Sequence, residues 1–239
     1  MGLREAWDAE AQAWIAWVRR PGNDSYDKFH RDQFLALVPP PGRLTVDLGC
    51  GEGRVARDLA ARGHTVIGFD GSPALVEAAR TFVPPVDAKV ADAAELPLAA
   101  ASADLVVAFM LLHDVDDLDG VAREIARVLE PGGRLCLAVV HPNNSCGRFD
   151  DDAADAPFRI DGSYLGRFDY SDRIERDGLA MSFHSRHRPM ADYFAAFGAV
   201  GLRVETLREP PVPDLAATSP AAKRWQRIPL FMHMLARRA

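Results

Sequence analysis

The chain has 239 residues, a hydrophobic fraction of 48% and a formal net charge of -6, a composition that suits one globular domain with a large core. Apart from the terminal pair Arg237 and Arg238 there is no polybasic run, so the charge argues against a nucleic-acid partner and favours a small molecule. No apolar run is long enough to span a membrane, and the N-terminal residues are charged instead of signal-like. We therefore expect a cytoplasmic protein without a membrane partner.

Cysteine usage and compositional bias give two further expectations. The three cysteines, Cys50, Cys136 and Cys146, are spaced as in neither a zinc site nor a disulfide framework, and we interpret Cys50 and Cys136 as small apolar residues. Arginine far outnumbers lysine and alanine is abundant. This bias favours a GC-rich, bacterial source.

Two amphipathic helices are predicted before the first strand. Aromatic residues recur at helical spacing over Leu3 to Val18 and again over Ser25 to Val38, where a proline-rich segment ends the pattern. We interpret residues 1–42 as a helical cap. Packing on a sheet explains most of these aromatics, and the alternative is that some of them cover a ligand.

A glycine-rich turn follows the first predicted strand. Leu44 to Leu48 has the pattern of a short buried parallel strand, and Arg54 to Ala61 that of a helix. Glycines between them let the backbone take positive φ values and approach a ligand closely. The third glycine comes one position earlier than in the dinucleotide fingerprint, and Asp47 disfavours a pyrophosphate. The turn therefore predicts a bound ligand and disfavours an anionic one.

Three more predicted strands follow in order. His64 to Asp70 ends in an acid about 20 residues past the glycines, where a carboxylate accepts hydrogen bonds from ribose hydroxyls. Ala88 to Pro97 carries Asp92. Ala103 to Phe109 is the fourth predicted strand, and Val128 to Val139 combines a helix end, a Pro-Gly-Gly turn and a fifth strand.

These motifs, from about residue 43 to residue 141, resemble those of class I S-adenosylmethionine-dependent methyltransferases, in particular the small-molecule enzymes of the ubiquinone and menaquinone biosynthesis type. The resemblance implies an α/β, Rossmann-like, doubly wound fold with a seven-stranded, mostly parallel sheet. It implies S-adenosylmethionine as cofactor and S-adenosylhomocysteine as product, with the N-terminal helices over the site. The cofactor-binding residues that it implies are Asp47, Gly49, Gly51, Gly53, Asp70, Gly71, Ser72, Asp92, Ala93, Phe109, Tyr26 and Phe29.

The chain departs from a minimal fold after the fifth strand. Residues 142–188 show β-like alternation around Gly and Asp-Gly turns, which predicts an antiparallel β-ribbon insertion that acts as a lid over the active site. Residues 189–239 are predicted to form a helix and the sixth and seventh strands, joined by a proline-rich surface loop over Glu209 to Pro220. We interpret 43–141 as the cofactor-binding core of a single domain, 1–239.

The candidate catalytic residues are histidines at strand ends. Methyl transfer from a sulfonium depends mainly on positioning, and a histidine is the natural base where the acceptor must lose a proton. His141 follows the fifth strand, at the sheet edge where ligands bind in open α/β folds, and we predict that it faces the methyl group as base or orienting residue. His113, after the fourth strand, is a weaker candidate. The alternative for each is a structural histidine.

Substrate binding and metal binding complete the list of candidates. Tyr164, Arg186 and His187 in the insertion are the predicted substrate-binding residues, and the alternative is that they form ribbon surface. Several aspartates follow His113, as in some divalent-metal sites. Because they precede the predicted helix Val121 to Leu129, we interpret them as capping residues and predict no metal.

The leading hypothesis is methyl transfer to an oxygen or nitrogen of a small-molecule metabolite. One alternative is a nicotinamide-dependent oxidoreductase, which the glycine spacing disfavours. The other is a non-catalytic, cofactor-binding regulatory subunit, which would keep the same motifs. We expect a monomer or a homodimer.

Overall fold

The computed structural model describes residues 2–239. Among these residues the strands are β1 (Thr45–Leu48), β2 (Val66–Asp70), β3 (Ala88–Val90), β4 (Ala103–Phe109), β5 (Leu129–Val140), β6 (Gly147–Phe149), β7 (Phe158–Ile160), β8 (Phe168–Arg176), β9 (Leu179–His187), β10 (Leu202–Arg208) and β11 (Phe231–Arg238). The helices are α1 (Leu3–Val18), α2 (Arg31–Leu35), α3 (Arg54–Ala61), α4 (Pro73–Thr81), α5 (Leu118–Val128), α6 (Pro142–Ser145), α7 (Met190–Ala199) and α8 (Pro220–Lys223). A π-helical turn (Tyr26–His30) precedes α2, and a 3₁₀ turn (Arg224–Gln226) follows α8.

The central sheet has seven strands in the order β3-β2-β1-β4-β5-β11-β10. Strands β1 to β5 are parallel, and β11 runs antiparallel to both of its neighbours. This arrangement confirms the predicted seven-stranded, mostly parallel α/β fold. The strand order reverses between β1 and β4, and the crevice beyond the carboxyl ends of strands at such a switch point is the usual ligand site of this architecture.

The core lies on both faces of the sheet, as the side-chain alternation of β4 shows. Leu105 and Val107 pack with residues of α2 and α3, whereas Val106 packs with α5 and α7 through Ile125 and Phe197. A strand that is buried on both faces needs apolar residues at nearly every position. The near-continuous apolar run of β4 meets this requirement. The carboxyl end of this buried strand lies at the ligand crevice.

The insertion after β5 forms two separate antiparallel pairs, β6–β7 and β8–β9. The predicted ribbon is therefore present, although the part before β8 contributes only the short pair β6–β7. The second N-terminal helix also differs from the prediction, since a π-helical turn precedes it and it ends at Leu35. Asp117 caps α5 as predicted, because its Oδ1 accepts a hydrogen bond of 2.8 Å from the backbone N–H of Gly120.

Within residues 2–239 there is no helix with the length and apolar character needed to cross a membrane.

Candidate functional site

A cavity of about 1330 Å³ lies at the carboxyl ends of β1, β2 and β4. Pockets for one small ligand commonly measure about 300–1,000 Å³, so this cavity has room for two ligands side by side. The glycine-turn half is lined by Gly49, Gly51, Asp70, Gly71, Ser72, Asp92, Ala93 and Phe109. The aromatic half is lined by Phe29, His30, Asn144, Phe149, Val212, Trp225 and Phe231.

The glycine turn has a backbone conformation that residues with a Cβ atom adopt only with strain. Gly49, Gly51 and Gly53 have φ values of +72°, +55° and +90°, which lie in the left-handed region. A Cβ atom on Gly49 would lie 2.7 Å from Cδ1 of Leu111. Gly49 and Gly51 line the cavity, whereas Gly53 caps α3 and faces Val86 instead. The prediction that Gly53 contacts a ligand is therefore corrected, and its part is to shape the turn.

Asp70 ties the glycine turn to the end of β2. Its Oδ2 accepts a hydrogen bond from the backbone N–H of Gly51, and its Oδ1 accepts one from that of Ser72, both at 2.9 Å. Burial raises the pKa of Asp70, and these two hydrogen bonds oppose the shift. A carboxylate has about four acceptor positions. Asp70 can therefore accept two more hydrogen bonds from hydroxyl groups in the cavity.

Asp47 lies inside β1 and does not line the cavity. Its Oδ2 is buried without a hydrogen-bond partner among residues 2–239. Burial raises the pKa of Asp47 to about 7, and the charge of Asp70 adds to the shift. The prediction of direct ligand contact is corrected. A buried carboxyl group with one unpartnered oxygen still favours a positively charged ligand over an anionic one at the neighbouring turn.

Asp92 and Ala93, which follow β3, and Phe109, at the end of β4, also line the glycine-turn half. Oδ2 of Asp92 lies 3.1 Å from an Arg4 guanidinium nitrogen, and its Oδ1 accepts a 2.9 Å hydrogen bond from the backbone N–H of Ala94. Half of the Asp92 side chain is exposed. Its carboxylate is thus accessible from the cavity, and contact with the cofactor stays a prediction.

The N-terminal segment divides its aromatic residues between cavity and core. Tyr26 is buried outside the cavity wall, where its hydroxyl donates a 2.7 Å hydrogen bond to Asp58 and its ring packs edge-on against Phe109 at 5.1 Å. The prediction that Tyr26 contacts the cofactor is corrected. Phe29 and His30 do line the cavity.

The ribbon β8–β9 turns one face toward the cavity. That face carries Phe168, Tyr170, Asp172, Ile174, Arg176, Phe183 and Ser185. Arg186 follows Ser185, so the alternation of a strand directs it to the other face, where it pairs with Asp169 at 2.9 Å. Its predicted role in substrate binding is corrected.

His187 and Tyr164 are also outside the cavity wall. Nδ1 of His187 lies 2.7 Å from the Ser145 hydroxyl, and its Nε2 donates to the Tyr164 carbonyl oxygen at 2.8 Å. The Tyr164 hydroxyl accepts a 3.2 Å hydrogen bond from the backbone N–H of Met190. The predictions that His187 and Tyr164 bind substrate are corrected, because the polar groups of both side chains are hydrogen-bonded to other residues of the protein.

His141 is a structural residue at the start of α6. Its Nδ1 accepts a 3.0 Å hydrogen bond from the backbone N–H of Asn143, and its Nε2 lies 2.8 Å from Glu209. The side chain is 1% exposed and is not part of the cavity wall. The prediction that it faces the methyl group is wrong, because the chain enters α6 directly after β5 and the ring serves as the N-cap.

Replacement of His141 by alanine is expected to lower the free energy of unfolding by about 1–2 kcal/mol, because the helix cap and a buried hydrogen bond are lost. Urea unfolding of both proteins measures this difference. The affinity for S-adenosylhomocysteine should stay unchanged, as measured by calorimetry. A variant of parental stability whose methyl transfer is lost would contradict this structural role.

Of the two catalytic candidates, His113 and His141, only His113 is in the cavity wall. Its Nδ1 is buried without a partner among the described residues, and its Nε2 lies 3.4 Å from Asp114. Burial, reinforced by the charge of Arg188, lowers the pKa of His113 to about 3. The ring is therefore neutral at neutral pH and a weak base.

The aromatic half contains residues that sequence reasoning missed. The segment predicted as a surface loop supplies Val212, and the turns after it supply Trp225, whose ring packs edge-on against Phe149 at 4.9 Å. A tryptophan next to a loop rich in proline and alanine was the available signal. Among residues 2–239, no group of at least three His, Cys, Asp or Glu side chains could hold a metal ion.

Comparison with known proteins agrees with this geometry. Residues 46–137 match the family model described as a methyltransferase domain. An uncharacterized methyltransferase of Mycobacterium tuberculosis is 38% identical over 101 residues, which cover 42% of this chain and 41% of the relative. The 27-O-demethylrifamycin SV methyltransferase of Amycolatopsis mediterranei is 40% identical over 114 residues, 44% of this chain and 42% of the relative. The chain thus spans about two fifths of the length of these relatives.

A solved structure extends the likeness beyond that segment. An S-adenosylmethionine-dependent methyltransferase from Mesorhizobium loti superposes with a TM-score of 0.70 at 25% identity, over 87% of this chain and 96% of the other. Residues 46–137 therefore form a methyltransferase domain, and the chain has the fold of the S-adenosylmethionine-dependent methyltransferases. This family and this fold imply S-adenosylmethionine as the cofactor.

Proposed function

We propose that this protein transfers a methyl group from S-adenosylmethionine to an oxygen or nitrogen of a small-molecule metabolite. The observation that carries the proposal is Asp70, held by the backbone N–H groups of Gly51 and Ser72 at the wall of a cavity of about 1330 Å³. A carboxylate in this place can bind ribose hydroxyls and leaves the remaining volume for an acceptor.

The residues of the glycine-turn half fit the cofactor. A Cβ atom on Gly71 would lie 3.1 Å from Nε of Arg4, and one on Gly49 would clash with Leu111, so the bare backbone forms the cradle. Asp70 would bind the ribose and Asp92 with Ala93 the adenine. The Asp47 carboxyl, whose Oδ2 has no partner among residues 2–239, favours the positive charge of the methionine part. When bound, the cofactor supplies a methyl group already activated on a sulfonium.

The aromatic half supports an acceptor with an apolar body. Phe29 and Phe231 lie 6.3 Å apart, and Phe149 packs on Trp225 in the same half of the cavity. Apolar walls exclude water and hold the acceptor in line, and such positioning can supply about 7–11 kcal/mol of a reaction barrier. The relative named for 27-O-demethylrifamycin SV supports oxygen as the atom that is methylated.

We also propose that residues 142–188 and the N-terminal helices form a lid over the cavity. Both segments contribute to the cavity wall, through residues such as Trp14, Phe149 and Phe183. A lid must open to admit ligands and is drawn from segments of low local stability. We therefore expect these segments to gain protection from hydrogen exchange when ligand binds.

The alternatives predict different binding. A nicotinamide-dependent oxidoreductase would need to place a pyrophosphate at the glycine turn, near the carboxyl groups of Asp47 and Asp70, which disfavours it. A non-catalytic regulatory subunit would bind the cofactor without turnover. No contact in the cavity favours that reading over an enzyme.

Calorimetry with S-adenosylhomocysteine and with NAD tests the proposal, followed by incubation with methyl-labelled S-adenosylmethionine and a metabolite extract. We expect binding of S-adenosylhomocysteine, no binding of NAD, and label in a small-molecule product. Binding of NAD alone would identify an oxidoreductase. Cofactor binding without any labelled product would favour the regulatory subunit.

Replacement of Asp70 by alanine is expected to weaken S-adenosylhomocysteine binding by about 1–3 kcal/mol, or roughly 5- to 150-fold in Kd. The ribose hydroxyls lose their acceptor, and the N–H groups of Gly51 and Ser72 lose theirs. Asp70→Asn should have a smaller effect because one oxygen remains. The matched control is Asp87→Ala, an exposed acid outside the cavity wall. Equal affinities of Asp70→Ala and the control would contradict the assignment.

A further inference from the structure

His30 and His233 form a pair of buried histidines, of which His30 lines the cavity. His30, in the π-helical turn, lines the cavity and stacks on Phe231 with ring centroids 3.9 Å apart and planes 10° apart. Its ring is also 4.7 Å from that of Phe109 in the glycine-turn half. Single π-helical turns occur frequently at functional sites. His30 is therefore close both to the wall of the cofactor and to the wall of the acceptor.

One proton joins His30 to His233. Their Nε2 atoms are 2.6 Å apart, a distance at which two bare nitrogens repel each other and two N–H groups clash, so one ring donates and the other accepts. Burial lowers the pKa of His30 well below its ordinary value and that of His233 to about 4, and the Arg208 charge adds to the second shift. Both rings are therefore neutral, with a single N–H each.

The surroundings of His233 decide which ring donates. Nδ1 of His233 is buried and has no partner among residues 2–239. If His30 donated, His233 would carry its proton on that Nδ1, and a buried N–H without an acceptor is rare and costly in proteins. If His233 donates, only a lone pair is left without a partner. The second arrangement has the smaller cost, and it leaves the proton of His30 on Nδ1.

The Nδ1 atom of His30 is available to a ligand. Nε2 makes the bond to His233, and no described residue bonds Nδ1. His30 is 1% exposed and lines the cavity, so Nδ1 is the ring nitrogen left for a ligand at the cavity wall.

We propose that His30 binds the methyl acceptor by donating a hydrogen bond from Nδ1 to one of its oxygen atoms, while His233 fixes the tautomer. This inference rests on the proposed function. A ring that already carries its proton on Nδ1 cannot accept another from the acceptor without becoming charged, so His30 orients the acceptor instead of deprotonating it. The acceptor class is a molecule with an apolar body, placed beside Phe29 and Phe231, and a neutral oxygen that accepts a hydrogen bond.

Nitrogen-15 NMR of the histidine rings tests the tautomer directly. Spectra of labelled protein saturated with S-adenosylhomocysteine, at neutral pH, should show His30 protonated on Nδ1 and His233 on Nε2. His233→Phe should move His30 toward the usual Nε2 tautomer, and His30→Asn assigns the signals. A His30 ring with a bare Nδ1 would overturn the proposal, whatever the enzyme methylates.

Labelled methyl transfer to a metabolite extract tests the contact with the acceptor. Asparagine places an amide donor near the position of Nδ1, so His30→Asn should keep transfer within a few-fold. His30→Phe keeps the stacking and loses the donor, and should lower kcat/KM by about tenfold or more, mainly through KM. The control is His184→Asn, whose ring bonds Ser171 outside the cavity. All variants should retain the parental affinity for S-adenosylhomocysteine, which also shows that they fold.

The outcomes separate the two proposals. Equal transfer by the parent and by His30→Phe overturns the role of His30 and leaves the proposed function intact. A parent that binds S-adenosylhomocysteine and labels no product overturns the proposed function, and the role of His30 with it.

Discussion

Asp47→Asn is expected to stabilise the ligand-free protein at alkaline pH by up to about 4 kcal/mol. Burial raises the pKa of Asp47 from 3.8 to about 7, and about 1.4 kcal/mol corresponds to each pKa unit. Above that pKa the folded protein holds a buried negative charge with one oxygen, Oδ2, that has no partner among residues 2–239. Asparagine has about the size of the aspartic acid side chain and stays neutral at every pH in this range.

The pH dependence follows from the direction of the shift. Between about pH 4 and pH 7 the folded state keeps a proton that the unfolded chain has lost, so this contribution to stability is complete below the unfolded pKa and is lost as the pH rises through about 7. The unfolding free energies of the parent and Asp47→Asn, measured in urea over this range, should therefore diverge as the pH rises. Burial also raises the pKa of Asp70 and Asp114, so the difference between the two proteins isolates Asp47. A constant difference would show that Asp47 does not titrate in this range.

Ligand binding should release the proton from Asp47. A cationic amino group near the glycine turn favours the ionised form of Asp47, so the affinity of the parent for S-adenosylhomocysteine should rise with pH through about 7. Asp47→Asn should lack this rise.

Local pattern was sufficient to predict the core of the fold. The α1 and α3 boundaries, Leu3–Val18 and Arg54–Ala61, agree with the predicted helices, and β4 agrees with the predicted strand Ala103–Phe109. Helical periodicity and continuous apolar runs are properties of the segment itself, so they can be recognised without knowing what the segment packs against. The position of Asp70 at the cavity wall could be predicted in the same way. In a βαβ unit the end of the second strand lies next to the turn that follows the first strand.

The acceptor side could not be predicted, because distant segments create it. His30 depends on His233, which is 203 positions away, and His141 is turned away from the cavity by Glu209, 68 positions along the chain. Location at a strand end was correct for His141, but the rotamer that its partners select is not encoded locally. The side of β9 that faces the cavity likewise depends on α1, against which Phe183 packs.

Phe183→Ala is expected to weaken the attachment of the ribbon β8–β9 to helix α1 by about 2–4 kcal/mol. The Phe183 ring lies edge-to-face against Trp7, Trp14 and Trp17, with centroids 6.3, 6.0 and 6.3 Å away. Each such pair contributes about 0.5–1.5 kcal/mol beyond the area that it buries, and a large-to-small change leaves a cavity as well. Other direct ties here are the 2.8 Å hydrogen bond from Nε1 of Trp7 to the carbonyl oxygen of His184 and the 3.3 Å hydrogen bond from the backbone N–H of Ser182 to the Glu10 carboxylate. The Arg176 guanidinium also lies over the Trp17 ring.

The loss should be local, because Phe183 contacts the cap and not the core clusters of the central sheet. Hydrogen exchange in β8, β9 and α1 should accelerate by roughly 30- to 1,000-fold, while β4 and β5 keep their protection. The matched control is Phe194→Ala, which removes a ring that is 41% exposed on α7 and should leave the ribbon unchanged. If the ribbon and β4 lost protection equally, the cap would unfold only with the whole domain. A lid that opens independently requires the opposite result, since ligands must enter the cavity while the central sheet that carries Asp70 stays folded.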